Sequence, residues 1–126
     1  MDFENFISTS TGEKLLFKDT FLKSSKEEKI QIVNKIPRFS QEDNYTLAFG
    51  RQWKIYSEVQ LDSKNGTTIS EDRVKTALGM PLDSIKGVKI LEAGSGAGRF
   101  TEILLKYGAI VYSFDLSEAV EANLYN

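Results

Sequence analysis

The segment that most constrains this chain runs from Gly87 to Asp115. Val88, Ile90 and Leu91 form an apolar strand after a glycine turn and lead into Glu92-Ala93-Gly94-Ser95-Gly96-Ala97-Gly98-Arg99-Phe100. Phe100, Ile103, Leu104 and Tyr107 then recur at helical spacing. Lys106 falls in the last turn, where a cation complements the helix dipole, and Gly108 stands at the helix end. Ala109 to Phe114 make a second, largely apolar strand of the kind parallel sheets bury, and Asp115 closes it. Ser117 is placed to cap a further helix, with Glu118 in its first turn. Strand, glycine-rich turn, helix and strand make a βαβ unit, whose crossover is right-handed. The fold class is therefore open α/β, with ligands expected beyond the C-terminal ends of the strands.

Two further stretches precede this unit. Residues 1–40 read as a small β-rich appendage. Thr11-Gly12-Glu13-Lys14 signals a turn, Leu15-Leu16-Phe17 a short strand, and Ile30, Ile32 and Val33 a half-buried one. Pro37, which has no N–H, is expected to stop ladder pairing there. The charged run from Lys23 to Lys29 reads as a loop or a single helical turn. Residues 41–86 read as a helical pre-domain. Tyr45, Phe49, Trp53 and Tyr56 predict a helix over 44–60, with Ala48, Ile55 and Val59 broadening the buried face. Gly50 costs about 1 kcal/mol against alanine in such a helix, which points to close packing at that position. Asp62 to Thr68 reads as a loop, and Ser70 as the N-cap of a short helix over 71–78 that ends at Gly79 before Pro81. Residues 87–126 are the start of the α/β domain.

Composition removes several chemistries. With no cysteine there is no disulfide, thiolate zinc site or cysteine nucleophile, and with no histidine there is no Ser-His-Asp triad or imidazole metal site. A formal charge of -2 leaves no footprint for tight nucleic-acid binding. No apolar run reaches a membrane span, and the acidic Met1-Asp2-Phe3-Glu4 start lacks a signal-peptide pattern, so a cytosolic protein is the expectation. The triplets Asn44-Tyr45-Thr46 and Asn65-Gly66-Thr67 are then chance glycosylation matches.

The glycine loop admits three kinds of ligand. A Walker A loop needs Lys-Ser/Thr after its last glycine, and Arg99-Phe100 stands there instead. A dinucleotide fingerprint needs a third glycine where Arg99 lies, because helix and strand pack closely at that point. The glycines actually present are Gly94, Gly96 and Gly98, preceded at the strand end by Glu92. A carboxylate there repels a pyrophosphate and attracts an ammonium or sulfonium group.

Leu91-Glu92-Ala93-Gly94-Ser95-Gly96-Ala97-Gly98 resembles motif I of the class I S-adenosylmethionine-dependent methyltransferases. The resemblance implies a Rossmann-like fold of which residues 87–126 carry the first two parallel strands. It implies cofactor contacts from Glu92 to the methionine amino group and from Ala93, Gly94, Ser95, Gly96 and Gly98 through a closely approaching backbone. Asp115 matches the acid that accepts from the ribose hydroxyls, and Leu116 would flank the adenine; Asp115 follows Gly94 by the roughly twenty residues such a relay needs. Ile36-Pro37-Arg38-Phe39, Asn44-Tyr45, Phe49-Gly50, Gln52-Trp53 and Gln60-Leu61-Asp62-Ser63 are similar to a pre-domain found ahead of motif I in some bacterial methyltransferases. There a preceding ribbon often carries cysteines resembling a zinc ribbon; here Ser8-Thr9-Ser10-Thr11 stands in that neighbourhood, so no metal is expected.

The resemblance implies methyl transfer, and the slight net negative charge points to an acceptor outside the nucleic acids, a small molecule being favoured. No residue of the chain is nominated as a general base. Tyr45, Gln52 and Trp53 are candidates for a lid over the cofactor, against the plainer role of packing. The family's seven-stranded sheet does not fit before Asn126, since each strand-helix unit takes about 30 residues. The expectation is a fragment of a longer enzyme, inactive and weakly cofactor-binding alone. The alternatives are a non-catalytic module that keeps the cofactor loop and, less favoured, a nucleotide-dependent oxidoreductase.

Overall fold

A computed structural model of the chain describes residues 5–26, 28–40 and 44–126. It is a mixed α/β structure in two compact units, Met1–Gln41 and Glu42–Asn126. Met1 to Glu4, Glu27 and the side chains of Tyr45 and Phe49 lie outside the described residues.

The first unit is an antiparallel sheet of β1 (Leu16–Lys18), β2 (Phe21–Lys23), β3 (Lys29–Val33) and β4 (Ile36–Pro37), in that order. Leu22 pairs with Ile30 across β2 and β3, and with Leu15 they form the buried core, against which Phe6 and Ile32 pack. Asn34 and Lys35 both have positive φ, 51° and 69°. That is the geometry of a two-residue turn whose twist matches the strands it joins. Pro37 does not stop the pairing as expected: it lies opposite Ile32 in β4. Its missing N–H costs nothing there, because the neighbouring Arg38 N–H donates to the Gln31 carbonyl at 2.8 Å and β4 is an edge strand. The charged run after Lys23 is a loop. Ser8 donates to the Glu28 carboxylate and accepts from the Thr11 N–H at 3.0 Å, while Ser24 accepts from the Glu28 N–H at 3.2 Å. Hydroxyls and one carboxylate thus tie together the turns of a ribbon that has no cysteine.

The second unit begins with α1 (Asn44–Ile55). The helix stops five residues before Gln60, and Ile55, Tyr56 and Val59 are exposed rather than buried. Ile55 is the last residue of the helix, and beyond it the 3.6-residue period no longer places Tyr56 and Val59 inward; Leu61 is buried in their stead. Gly50 is close-packed: a Cβ there would lie 3.0 Å from the backbone nitrogen of Glu118. The stretch expected as a loop holds a one-turn helix, α2 (Asp62–Asn65), ended by Gly66.

The next helix, α3 (Ile69–Leu78), starts before Ser70, so Ser70 is not its N-cap. Asp62 performs that role from across the turn. Its two oxygens accept the Ser70 N–H at 3.1 and 3.0 Å and the Glu71 N–H at 3.0 Å. Burial pushes the Asp62 carboxyl up, but the amides of Glu71 and Ser70 and the hydroxyls of Ser70 and Thr67 outweigh it and hold the group below its ordinary value. A depressed native value stabilises the fold above the unfolded carboxylate range near 4, and this contribution fades as pH falls through the native value. Asp62→Ala should cost about 1–2 kcal/mol at neutral pH. The cost should shrink in urea denaturation below about pH 4. A penalty unchanged down to pH 2 would show that the charge is immaterial.

A 3-10 turn at Leu82–Ile85 leads to β5 (Lys89–Ala93), which pairs in parallel with β6 (Ile110–Phe114) through α4 (Arg99–Lys106). Val74, Leu82, Ile85, Ile103, Leu104 and Ala109 make the core between these helices and one face of the strands. Leu91 and Phe114 are exposed. The chain continues into α5 (Ala119–Tyr125). Among the described residues no helix is long and apolar enough to cross a membrane.

Candidate functional site

The β5–α4 loop is built by its glycines. Gly96 and Gly98 have φ of 53° and 98°, a region that other L-residues enter only with strain. Gly98 has a second constraint: a Cβ would fall 3.0 Å from Cγ of Asn123 and closer still to its Oδ1. The start of the loop is anchored on β6, where the Phe114 carbonyl accepts the Gly94 and Ser95 N–H groups at 2.8 and 3.1 Å. The end is anchored by α5, since Asn126 Nδ2 donates to the Ala97 carbonyl at 2.8 Å.

Asp115 closes the loop from the end of β6. Its Oδ2 accepts the Gly96 N–H at 2.8 Å. Its Oδ1 accepts the Ser117 N–H at 2.8 Å and the Ser117 hydroxyl at 2.7 Å. Ser117 Oγ in turn accepts the Ala119 N–H at 3.2 Å at the start of α5. A carboxylate has about four lone-pair positions, so Asp115 keeps capacity for a further donor.

Glu92 sits beside Ser113 in the parallel register and shares its face of the strands with the α4 side chain Thr101. Its Oε2 accepts both hydroxyls, Thr101 Oγ1 at 2.5 Å and Ser113 Oγ at 2.7 Å. Its Oε1 is buried and has no hydrogen-bond partner, and the same holds for Ser95 Oγ. An unpaired buried polar group costs about 1–3 kcal/mol, so this pair, one at the end of β5 and one in the loop after it, marks a place where a ligand donor or acceptor would be stabilised.

The residues singled out from sequence thus divide. Gly94, Ser95, Gly96 and Gly98 form the loop, which Asp115 holds through Gly96, whereas Glu92 stands in β5 before it and bonds to Thr101 and Ser113 instead. Ala93 and Leu116 are exposed, Leu116 at 66%. On α1, Gln52 is exposed and Trp53 half-buried. Thr101, Ser113 and Asn123 carried no sequence signal, because serine, threonine and asparagine are common and only the parallel register and the helix docking bring Thr101 and Ser113 to Glu92 and Asn123 to Thr101. Behind the loop, Glu71 on α3 accepts from Lys106 Nζ at 2.5 Å and from the Tyr107 hydroxyl at 2.7 Å. These two bonds, that of Lys106 first, hold the Glu71 carboxyl below its ordinary value. They tie α3 to the C-terminal end of α4. Among the described residues no group of three metal-ligating side chains comes together.

Comparison of the chain with protein-family models, curated proteins and solved structures finds no match.

Proposed function

We propose that this chain carries the cofactor-binding loop of an S-adenosylmethionine-dependent methyltransferase with a Rossmann-like fold. The observation that carries the reading is the pair of enclosed, unpartnered oxygens, Glu92 Oε1 and Ser95 Oγ, in a three-glycine turn at the C-terminal end of a parallel strand. The residue chemistry fits that cofactor. Glu92 offers a carboxylate oxygen to an ammonium group, and Asp115 offers its remaining acceptor position to a ribose hydroxyl. The loop presents a narrow backbone edge, because a Cβ is absent where the glycines stand. When bound, the cofactor supplies an electrophilic methyl group on a sulfonium with a neutral leaving thioether. The protein's part is to hold that ligand in place, so that positioning supplies much of the rate. An acceptor that must lose a proton needs a base, and none of the described loop residues is assigned that work. A small-molecule acceptor is the proposed substrate class.

Amide chemical shifts during titration with S-adenosylmethionine test the reading at any affinity down to the millimolar range. Shifts should concentrate at Gly94, Ser95, Gly96, Gly98 and Ser117, and Glu92→Ala and Asp115→Ala should each weaken the response at least tenfold. Equal shifts with reduced nicotinamide cofactor, or none at millimolar S-adenosylmethionine, would overturn it.

A further inference from the structure

Beside the loop lies a hydrogen-bond relay that the cofactor reading does not use. Asn123 Nδ2 on α5 donates to Thr101 Oγ1 at 3.0 Å. Thr101 Oγ1, with its lone pair engaged by that amide, directs its own proton to Glu92 Oε2 at 2.5 Å. Ser113 delivers a second proton to the same oxygen from the neighbouring strand at 2.7 Å. Two elements, α4 and β6, therefore meet on one oxygen of a strand-end carboxylate, and α5 reaches it through Thr101.

Two donors on Oε2 do two things. They hold the side chain in one rotamer, because a rotation that frees Oε2 breaks two charge-assisted bonds, roughly twice as strong as neutral ones. They also leave Oε1 as the acceptor with no internal partner. An enclosed carboxylate oxygen without a donor carries a desolvation cost, and a positively charged donor at Oε1 offsets more of it than a neutral one.

From this we infer that Thr101 and Ser113 are positioning residues that aim Glu92 Oε1 at the ligand's ammonium group and make the site selective for an amine-bearing cofactor, with Asn123 orienting the Thr101 hydroxyl. The inference rests on the cofactor reading above and assigns the residues that make its carboxylate discriminate. Thr101 and Ser113 do not touch the ligand; they act through Glu92. Small side-chain hydroxyls suit this work because each can accept from one neighbour while donating to another.

The test compares two ligands on the purified protein by amide-shift titration: S-adenosylhomocysteine and the same molecule without its amino group. The parent should prefer the amine-bearing ligand by about tenfold or more, the scale of a charge-assisted hydrogen bond. Thr101→Val, which keeps the shape and removes the hydroxyl, should erase most of that preference while changing affinity for the desamino ligand less than about twofold. Thr101→Ser should restore the parent's preference. Ser113→Ala, a mild change in a strand, should lower the preference about threefold and keeps the test open if Thr101→Val fails to fold. A variant that weakens both ligands equally has only a structural role there, and that result overturns the inference, as does an unchanged preference in both variants. If the parent binds both ligands equally, the cofactor site stands and the role given to Glu92 falls. If the parent binds neither, the cofactor reading falls and this assignment with it.

Discussion

Gly98→Ala should destabilise the unit formed by residues 42–126 by about 2–5 kcal/mol. Two costs add. The backbone at φ 98° is strained for any residue with a Cβ, at about 1–2 kcal/mol. The new methyl then meets the Asn123 amide, with Cγ at 3.0 Å, and overpacking of this kind costs about 1–3 kcal/mol. Gly79→Ala is the control for the first cost alone. Gly79 has φ of 62° with nothing within 4 Å of the added carbon, so its penalty should stay near 1–2 kcal/mol. Urea denaturation of both variants measures the difference. Adding Asn123→Ala to Gly98→Ala should return the overpacking part, since the two side chains interact directly. Equal penalties for the two glycine variants would mean that Asn123 moves aside freely and does not hold the loop. The result bears on function because the same contact seats the C-terminal part of α5 against the glycine loop that follows Glu92.

Ile103→Ala should cost about 2–5 kcal/mol. Ile103 is 1% exposed and lies in the core with Val74, Leu82, Ile85, Leu104 and Ala109. Removing it leaves a cavity where α4 meets the strands, and α4 is the element that sets the end of the glycine loop. A domain is stable by about 5–15 kcal/mol, so the loss is a large share of the total. Leu105→Ala, two residues along the same helix and 57% exposed, should stay within about 0.5 kcal/mol. Thermal unfolding of the pair checks the contrast. If both variants melt together, α4 packs on the strands less specifically than its burial implies. Amide shifts of Gly94 to Gly98 in Ile103→Ala report whether the loop follows the helix.

Much of the architecture was legible along the chain. The apolar runs 88–91 and 109–114 correspond to β5 and β6, and Phe100, Ile103, Leu104 and Tyr107 line the face of α4 and its end that packs on the core. Those signals are local: a strand or helix face declares itself by the period of its own side chains. Readings that depended on a partner fared worse. Ser70 was expected as a cap from its position before Glu71, but the helix already begins at Ile69, and the N–H groups of Ser70 and Glu71 go to Asp62, eight residues before Ser70. Pro37 was expected to end a sheet, but an edge position asks for no N–H. The stripe running to Tyr56 and Val59 was expected to stay buried, but the helix ends at Ile55.

The candidate site divides along the same line. Sequence alone determined that a strand ends in Glu92, that three alternating glycines follow, and that a second strand ends in Asp115, because residue identity and spacing are properties of the chain. Only the tertiary structure decided what these groups do to one another. Asp115 turned out to hold Gly96 and Ser117, and Glu92 to be bound through one oxygen by Thr101 and Ser113. It also left the other oxygen without a partner. A hydrogen bond requires two groups within about 3 Å, and for residues on different elements that distance is set by strand register and helix docking, which no local pattern records.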